Sequence, residues 1–363
     1  MTTTPDITII GGGAIGLLTA REFVNAGATV TILEKNQLGQ ESSWAGGGIL
    51  LPLYPWRQPD AITQLVIQSL KIYPTLSTQL INETQIDPEW TPCGLLVTKN
   101  PDLTAAISWC NAHGVLYRPA GEDFFNMLIT TPDQPLWLPE IAQARNPRLV
   151  KSLKQDLINK GVTLIEHCEL SSVCIDKNNI KTIETTTGRF AINQLIVAAG
   201  AWTGQLFQQF FDCAPKIAPV KGQMLLFEAQ PETLHFMVLD DDQYLIPRRD
   251  GKILAGSTVE QDEFNKTPTQ EARDRLSEFA TNLLPSLKNF PIIKHWAGLR
   301  PGTEQGIPYI DKHPEIDNLY INAGHFRNGL AMGPASAQLL VDLVLKRPTS
   351  VAPEPYQLTC QDS

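Results

Sequence analysis

The apolar positions change period several times along the chain. Ile7, Ile9 and Ile10 form a short β-branched run ahead of the glycines in IIGGGAIG, and Leu17, Leu18, Phe23 and Val24 then recur at helical spacing. Ala28 to Leu33 reads as a second strand. Ile62, Leu65, Val66, Leu70, Ile72 and Leu76 predict a packed surface helix over residues 61 to 82. Residues 86 to 147 lose any regular period and are rich in Pro and Trp, with strand-like pieces such as GLLVT. Helix, Gly stop and strand return in LVKSLKQDLINKGVTLIEHCELSSVCID, and QLIVAAGAWT (194 to 203) reads as a buried strand ending in a small-residue turn. Alternating stretches with an Asp-Gly turn at 250 and 251 predict an antiparallel sheet over 221 to 299. The chain closes as it opened, with a strand, a Gly-rich turn and an apolar-faced helix in NLYINAGHFRNGLAMGPASAQLLVDLVL.

Apart from that echo there is no internal repeat, and no low-complexity linker divides the chain. The order of elements predicts an α/β protein whose Rossmann-like nucleotide domain is discontinuous, over 1–85, 145–220 and 300–363. A substrate domain built on a mostly antiparallel sheet is inserted as 86–144 and 221–299. A length of 363 residues with 42% hydrophobic content allows a sizeable core. The net charge of -9, without a basic run, lacks the footprint of a nucleic-acid binder. No apolar run is long enough to span a bilayer. The six cysteines contain no CxxC pair and read as buried or incidental thiols, which fits a reducing cytoplasm.

The opening segment carries the first chemistry. Gly11, Gly13 and Gly16 satisfy G-x-G-x-x-G between a strand and a helix. Gly11 permits the tight turn, Gly13 the approach of a pyrophosphate, and Gly16 close helix-to-strand packing; the helix N-terminus adds free N–H groups and partial positive charge. Glu34, at the end of the second strand, is placed to accept both ribose hydroxyls of an adenosine and disfavours a 2′-phosphate. This points to a dinucleotide and leaves NAD and FAD open. SSWAGGGILLPLYPW (42 to 56) adds two hydroxyls and a second glycine cluster. Trp44, Ile49, Leu50, Leu51 and Trp56 make it too apolar for a free loop and suggest a cavity lining.

HWAGLRPGTEQGIPYI, residues 295 to 310, sets one cation, Arg300, among residues suited to an interior. A buried guanidinium is costly without a planar anionic partner, so this segment asks for a carboxylate that is either a ligand or an internal Asp or Glu.

Taken together and in this order, IIGGGAIG, SSWAGGGI, YLIPR, WAGLRPGT and AGHFRNG resemble the glycine/D-amino-acid oxidase family of FAD-dependent amine oxidoreductases over nearly the full length. The resemblance implies that the nucleotide is FAD, that the inserted sheet faces its ring, and that the assembly is often a homotetramer. It makes Arg300 the grip on a substrate carboxylate and Tyr244 of YLIPR its hydroxyl partner, with a core aromatic as the rival reading for Tyr244. Arg327 adds positive charge at the flavin edge or near the substrate, and Ile49 borders the substrate.

Ala14, Ile15, Glu34, Lys35, Ser42, Ser43, Gly47, Gly48, Ile49 and Val173 match FAD-contacting positions, joined by the loop His325, Phe326, Arg327, Asn328, Gly329, Leu330 and Ala331. His325 itself reads as packing rather than as a base. The chain departs from relatives at Asp242 and Gln243, and it has no Cys between Arg300 and GHFRNG, so the flavin is expected to be non-covalent. The implied reaction converts glycine, sarcosine or D-alanine, with molecular oxygen, to a 2-oxo acid, ammonia and hydrogen peroxide; in some relatives this serves thiamine thiazole formation. Rival readings are a D-amino-acid dehydrogenase passing electrons to a quinone and an FAD-binding module without turnover.

Overall fold

Three sheets organise the chain in a computed structural model that describes residues 4–261 and 263–358. The first has six strands in the order Tyr309–Lys312, Leu319–Ala323, Gln194–Val197, Ile7–Ile10, Val30–Leu33, Thr163–Ile165. All neighbours run parallel except the antiparallel edge strand Tyr309–Lys312. Its four inner strands are buried on both faces, which explains their uninterrupted apolar runs. Ile9, Ile32 and Ile196 point into one core with Leu17, Phe23 and the helices Ala14–Asn25, Asp60–Thr84, Asn146–Asn159 and Gly329–Val344. Their chain neighbours Ile10, Leu33 and Val197 point into a second core, shared with Ile180 and Ile183 of an antiparallel three-stranded sheet over 170–191. The expected helix over 61 to 82 is present as Asp60–Thr84.

The second sheet has eight strands in the order Ile292–Thr303, Ile217–Phe227, Ile253–Gly256, Gln243–Pro247, Met237–Asp240, Leu95–Val97, Leu136–Leu138, Arg118–Pro119. It is antiparallel apart from the pair Met237–Asp240 with Leu95–Val97. Alternation again assigns its faces: Leu225, Leu245 and Ala255 pack under the helix Gln270–Leu283, whereas Met224, Tyr244 and Ile246 face the other way. That helix interrupts the stretch expected to be sheet throughout. Thr269 caps it by accepting from Ala272 N at 3.3 Å, and Ala272, Leu276, Ala280 and Leu283 form its buried stripe. A second helix, Leu103–His113, lies in the aperiodic region.

Cys93, Cys110, Cys168 and Cys174 are free thiols, but Cys213 is disulfide-bonded. This corrects the expectation of thiols throughout, because sequence spacing does not reveal which distant cysteines meet; Cys360 lies outside the described residues. No helix among the described residues is long and apolar enough to cross a membrane.

Candidate active site

Gly11 begins the site at the carboxyl end of the first strand. Its φ of +110° is open to glycine, and a Cβ there would lie 2.4 Å from the Ala198 carbonyl oxygen. At Gly16 a Cβ would lie 2.0 Å from the Gly11 oxygen, so this glycine serves helix-to-strand packing, as its spacing suggested. Gly13, Ala14 and Ile15 open the first helix and line a long cleft between the six- and eight-stranded sheets. Glu34 receives hydrogen bonds from Gly12 N (2.7 Å) and Asn36 N (2.9 Å), which hold its carboxylate at the cleft. Lys35 also lines this end and pairs with Glu169 at 2.7 Å.

The second glycine cluster is docked rather than free. Ser43 Oγ accepts from Ala14 N at 2.8 Å, Ser42 Oγ donates to the Leu299 carbonyl, and Trp296 Nε1 donates to Ala45 O at 3.0 Å. The run Gly46 to Ile49 thereby lies along the cleft. Gly48 has φ +83°, with Ala144 O at 2.0 Å from the position of a Cβ. A Cβ on Gly47 would lie 3.1 Å from the Tyr244 ring.

Tyr244, Met224 and Arg300 gather where this run meets the eight-stranded sheet. Tyr244 is buried, and its hydroxyl donates to Met224 Sδ at 3.5 Å. Arg300 donates to Thr258 O (3.0 Å), Lys221 O (3.3 Å) and Ser257 Oγ (2.8 Å). It belongs to no ion pair among the described residues, which removes the structural-pair reading. Burial pulls its pKa down to about 10, so it remains a cation at neutral pH. The acceptors are themselves braced. Glu260 accepts from Gln223 Nε2 at 2.9 and 3.1 Å and from the Thr258 hydroxyl, while Lys221 and Glu260 exchange backbone hydrogen bonds.

Sequence reasoning missed why the guanidinium can lie there. Gly222 sits beside it on the neighbouring strand, where a Cβ would be 2.2 Å from Arg300 Nη2. Gly222→Ala is therefore expected to displace the fork while leaving the fold and flavin content intact. A shift of this size should lower kcat/KM by about ten- to a hundred-fold. Steady-state kinetics per bound flavin check this, and an unchanged kcat/KM would show that the fork tolerates the displacement.

On the far wall, Phe326, Arg327, Gly329 and Leu330 line the cleft. Phe326 has φ +46°, and Arg327 Nη2 donates to Asp242 O at 3.5 Å. His325 is buried and hydrogen-bonded to Ser336 Oγ at 2.7 Å, and Ser336 in turn donates to Asn322 Oδ1 at 2.7 Å. Burial pulls the His325 pKa down to about 3, so it is a neutral packing group. The unfolded chain takes up this proton near 6.5, so stability should fall as pH drops from about 6.5 toward 3. His325→Gln is expected to flatten that dependence by up to ~1.4 kcal/mol per pH unit. Urea unfolding at pH 7 and pH 5 measures it, and an unaltered slope would contradict a neutral buried ring.

Four expected cofactor contacts fall outside the cleft lining: Gly16, buried in the first helix against Gly11, and three others. Val173 sits further along its strand, paired with Ile183 in the three-stranded sheet; Leu170, where that strand begins, lines the cleft in its place. Ala331 is buried in the helix Gly329–Val344, and Asn328 ends the short turn before it.

A glycine turn aimed at a helix N-terminus, an acid at the end of the second strand and an internal guanidinium at the far end fit a flavin dinucleotide laid along the cleft. A family model described as FAD dependent oxidoreductase matches residues 6–343, and the chain belongs to that family and is an FAD-dependent amino-acid oxidase. It is 41% identical over 358 residues to the glycine oxidase of Pseudomonas aeruginosa, covering 96% of this chain and 97% of that one. It superposes on a crystal structure of glycine oxidase from Geobacillus kaustophilus with a TM-score of 0.93, at 26% identity over the whole of both chains. The bifunctional protein ThiO/ThiG of Synechocystis is 30% identical over 96% of this chain, which covers 53% of that protein.

Proposed function

We propose that the protein oxidises glycine, or a similarly small amino acid such as sarcosine or D-alanine, to the 2-oxo acid. The observation that carries this is the Arg300 fork: it lines the cleft beside Tyr244, is held among the described residues by neutral acceptors, and keeps N–H groups free for a carboxylate. The balance is amino acid, oxygen and water giving 2-oxo acid, hydrogen peroxide and ammonia, with methylamine in place of ammonia when sarcosine is the substrate. The chemistry that FAD supplies when bound is acceptance of two electrons from the α-carbon and their delivery to oxygen. Arg300 and the Tyr244 hydroxyl orient the carboxylate so that the α-carbon has one fixed direction. Met224, Tyr244 and the Gly47 backbone close the space around it and favour a minimal side chain. The cleft-lining backbone of Phe326, Arg327, Gly329 and Leu330 would offer N–H groups toward charge developing on the cofactor.

Ser42, Ser43, Glu34 and Lys35 are the residues that would hold the dinucleotide, without a covalent link. Residues 1–85, 145–220 and 300–363 form the FAD-binding domain in this reading, and 86–144 with 221–299 the substrate domain. Resemblance to the family supports a cytoplasmic homotetramer. The Synechocystis relative, a bifunctional ThiO/ThiG protein of which this chain covers about half, supports a role in thiamine thiazole formation. Anaerobic titration with glycine, sarcosine and D-alanine tests the proposal: flavin bleaching, followed by peroxide on admitting oxygen, is the expected result. Bleaching without peroxide would point to a dehydrogenase, and no bleaching would reject the substrate class.

A further inference from the structure

Arg248 is a buried guanidinium that nothing in the reaction above uses. It is 7% exposed and belongs to no ion pair among the described residues. Such a cation is costly to bury, so the geometry of its hydrogen bonds should show what retains it. Nη2 donates to the carbonyl of Gly47 at 2.7 Å, and Nη1 donates to Gln143 Oε1. Gln143 is itself fixed, because its side-chain nitrogen donates to Pro247 O and to Cys93 Sγ, and its backbone is paired with Thr91.

Period two explains how the contact arises. Tyr244 and Ile246 project to one face of the strand Gln243–Pro247, and Arg248 follows at the next step of two. All three reach Gly47: a Cβ there would lie 2.9 Å from Ile246 and 3.1 Å from Tyr244. The backbone around Gly47 is held by other backbone, with Gly46 N donating to Ser42 O before it, and Ala144 N to Gly48 O and Leu50 N to Ala142 O after it. Arg248 supplies the remaining restraint at the residue that meets the tyrosine.

We propose that Arg248 is a positioning residue of the active site, whose planar fork ties the Gly47 carbonyl to Gln143 and so fixes the Gly46–Ile49 wall against Tyr244. It acts through that backbone and touches no substrate. The fork, with two acceptors held at a set angle, is what lysine cannot reproduce.

The test compares Arg248→Lys, which keeps the charge and loses the fork, with the parent holoenzyme. Because Arg300, the charged part of the carboxylate grip, is untouched, KM for glycine should change less than about threefold while kcat per bound flavin falls about tenfold or more. The visible circular dichroism of the bound flavin should change as well, since a neighbour of the ring has moved. That spectral readout stands even if another amino acid proves to be the substrate, so the amino-acid reading and this inference fail separately. Gln143→Asn, which withdraws the other acceptor, provides a second route and should lower kcat in the same direction. Unchanged kcat and unchanged flavin dichroism in a folded variant would overturn the proposal.

Discussion

Replacing Arg300 by alanine is expected to leave a yellow, folded protein that scarcely turns over. The residue lies on the strand Ile292–Thr303 with its fork at the cleft, where it donates to two carbonyls and a hydroxyl. Loss of the side chain leaves Thr258 O and Lys221 O without this donor, but neither carries charge, and water entering the cleft can replace it. The fold should therefore tolerate the change. In the proposed reaction the substrate carboxylate would lose its charge partner in a desolvated place. Removing one member of a buried, hydrogen-bonded charge pair costs about 2–5 kcal/mol, or roughly thirty-fold to several thousand-fold in kcat/KM. Lysine should restore little, because a point charge at that distance does not reproduce two parallel N–H bonds to a carboxylate. The measurement is kcat/KM for glycine at matched flavin content, together with the Kd of a non-reacting carboxylate read from the flavin spectrum. Parent-like values for both would remove Arg300 from the site and, with it, the reason for proposing an amino-acid substrate.

The contrast between Arg300 and Arg248 shows what can be read from a sequence. Arg300 is conspicuous because its own segment is apolar, so the mismatch is local and visible. Arg248 sits in YLIPRRD, among polar neighbours, and looks like a surface residue until Gly47, about two hundred positions away, is folded against it. Gly222 is hidden for the same reason. Its neighbour Gly298 is its register partner on the adjacent strand, and the need for small residues arises only once Arg300 and Ala45 lie across that pair. The nucleotide motif is legible because its strand, turn, helix and acid are contiguous and obey local periods. The helix Gln270–Leu283 left a usable signal in its capping Thr269 and the spacing Ala272, Leu276, Ala280, Leu283, which surrounding alternation obscured. Val173 and Leu170 differ by three places on one strand, and only the shape of the cleft decides which of them reaches it.

Gly11→Ala should have the opposite signature from Arg300→Ala: loss of the cofactor and of stability together. Two independent costs meet at this position. An alanine at φ +110° is held in a backbone region that side chains rarely adopt, which costs on the order of 1–3 kcal/mol. Its Cβ would also lie 2.4 Å from Ala198 O and 2.6 Å from Ala198 C, which are backbone atoms of the adjacent strand end and cannot rotate away. Relief requires the ends of two parallel strands to separate, although Ala198 N is bonded to Ile10 O at 2.8 Å. Movement there shifts Gly13 and the first turn of the helix, the anchor proposed for the dinucleotide. The expected result is a protein purified largely without flavin, with FAD affinity reduced by about a hundred-fold or more and a lowered Tm, since about 3 kcal/mol corresponds to that factor. Absorbance at the flavin band relative to protein, FAD titration by fluorescence quenching, and thermal melts with and without added FAD provide the measurements. Full flavin occupancy at the parent's Tm would mean that the turn accommodates a side chain, and the steric account of the first glycine would have to be abandoned.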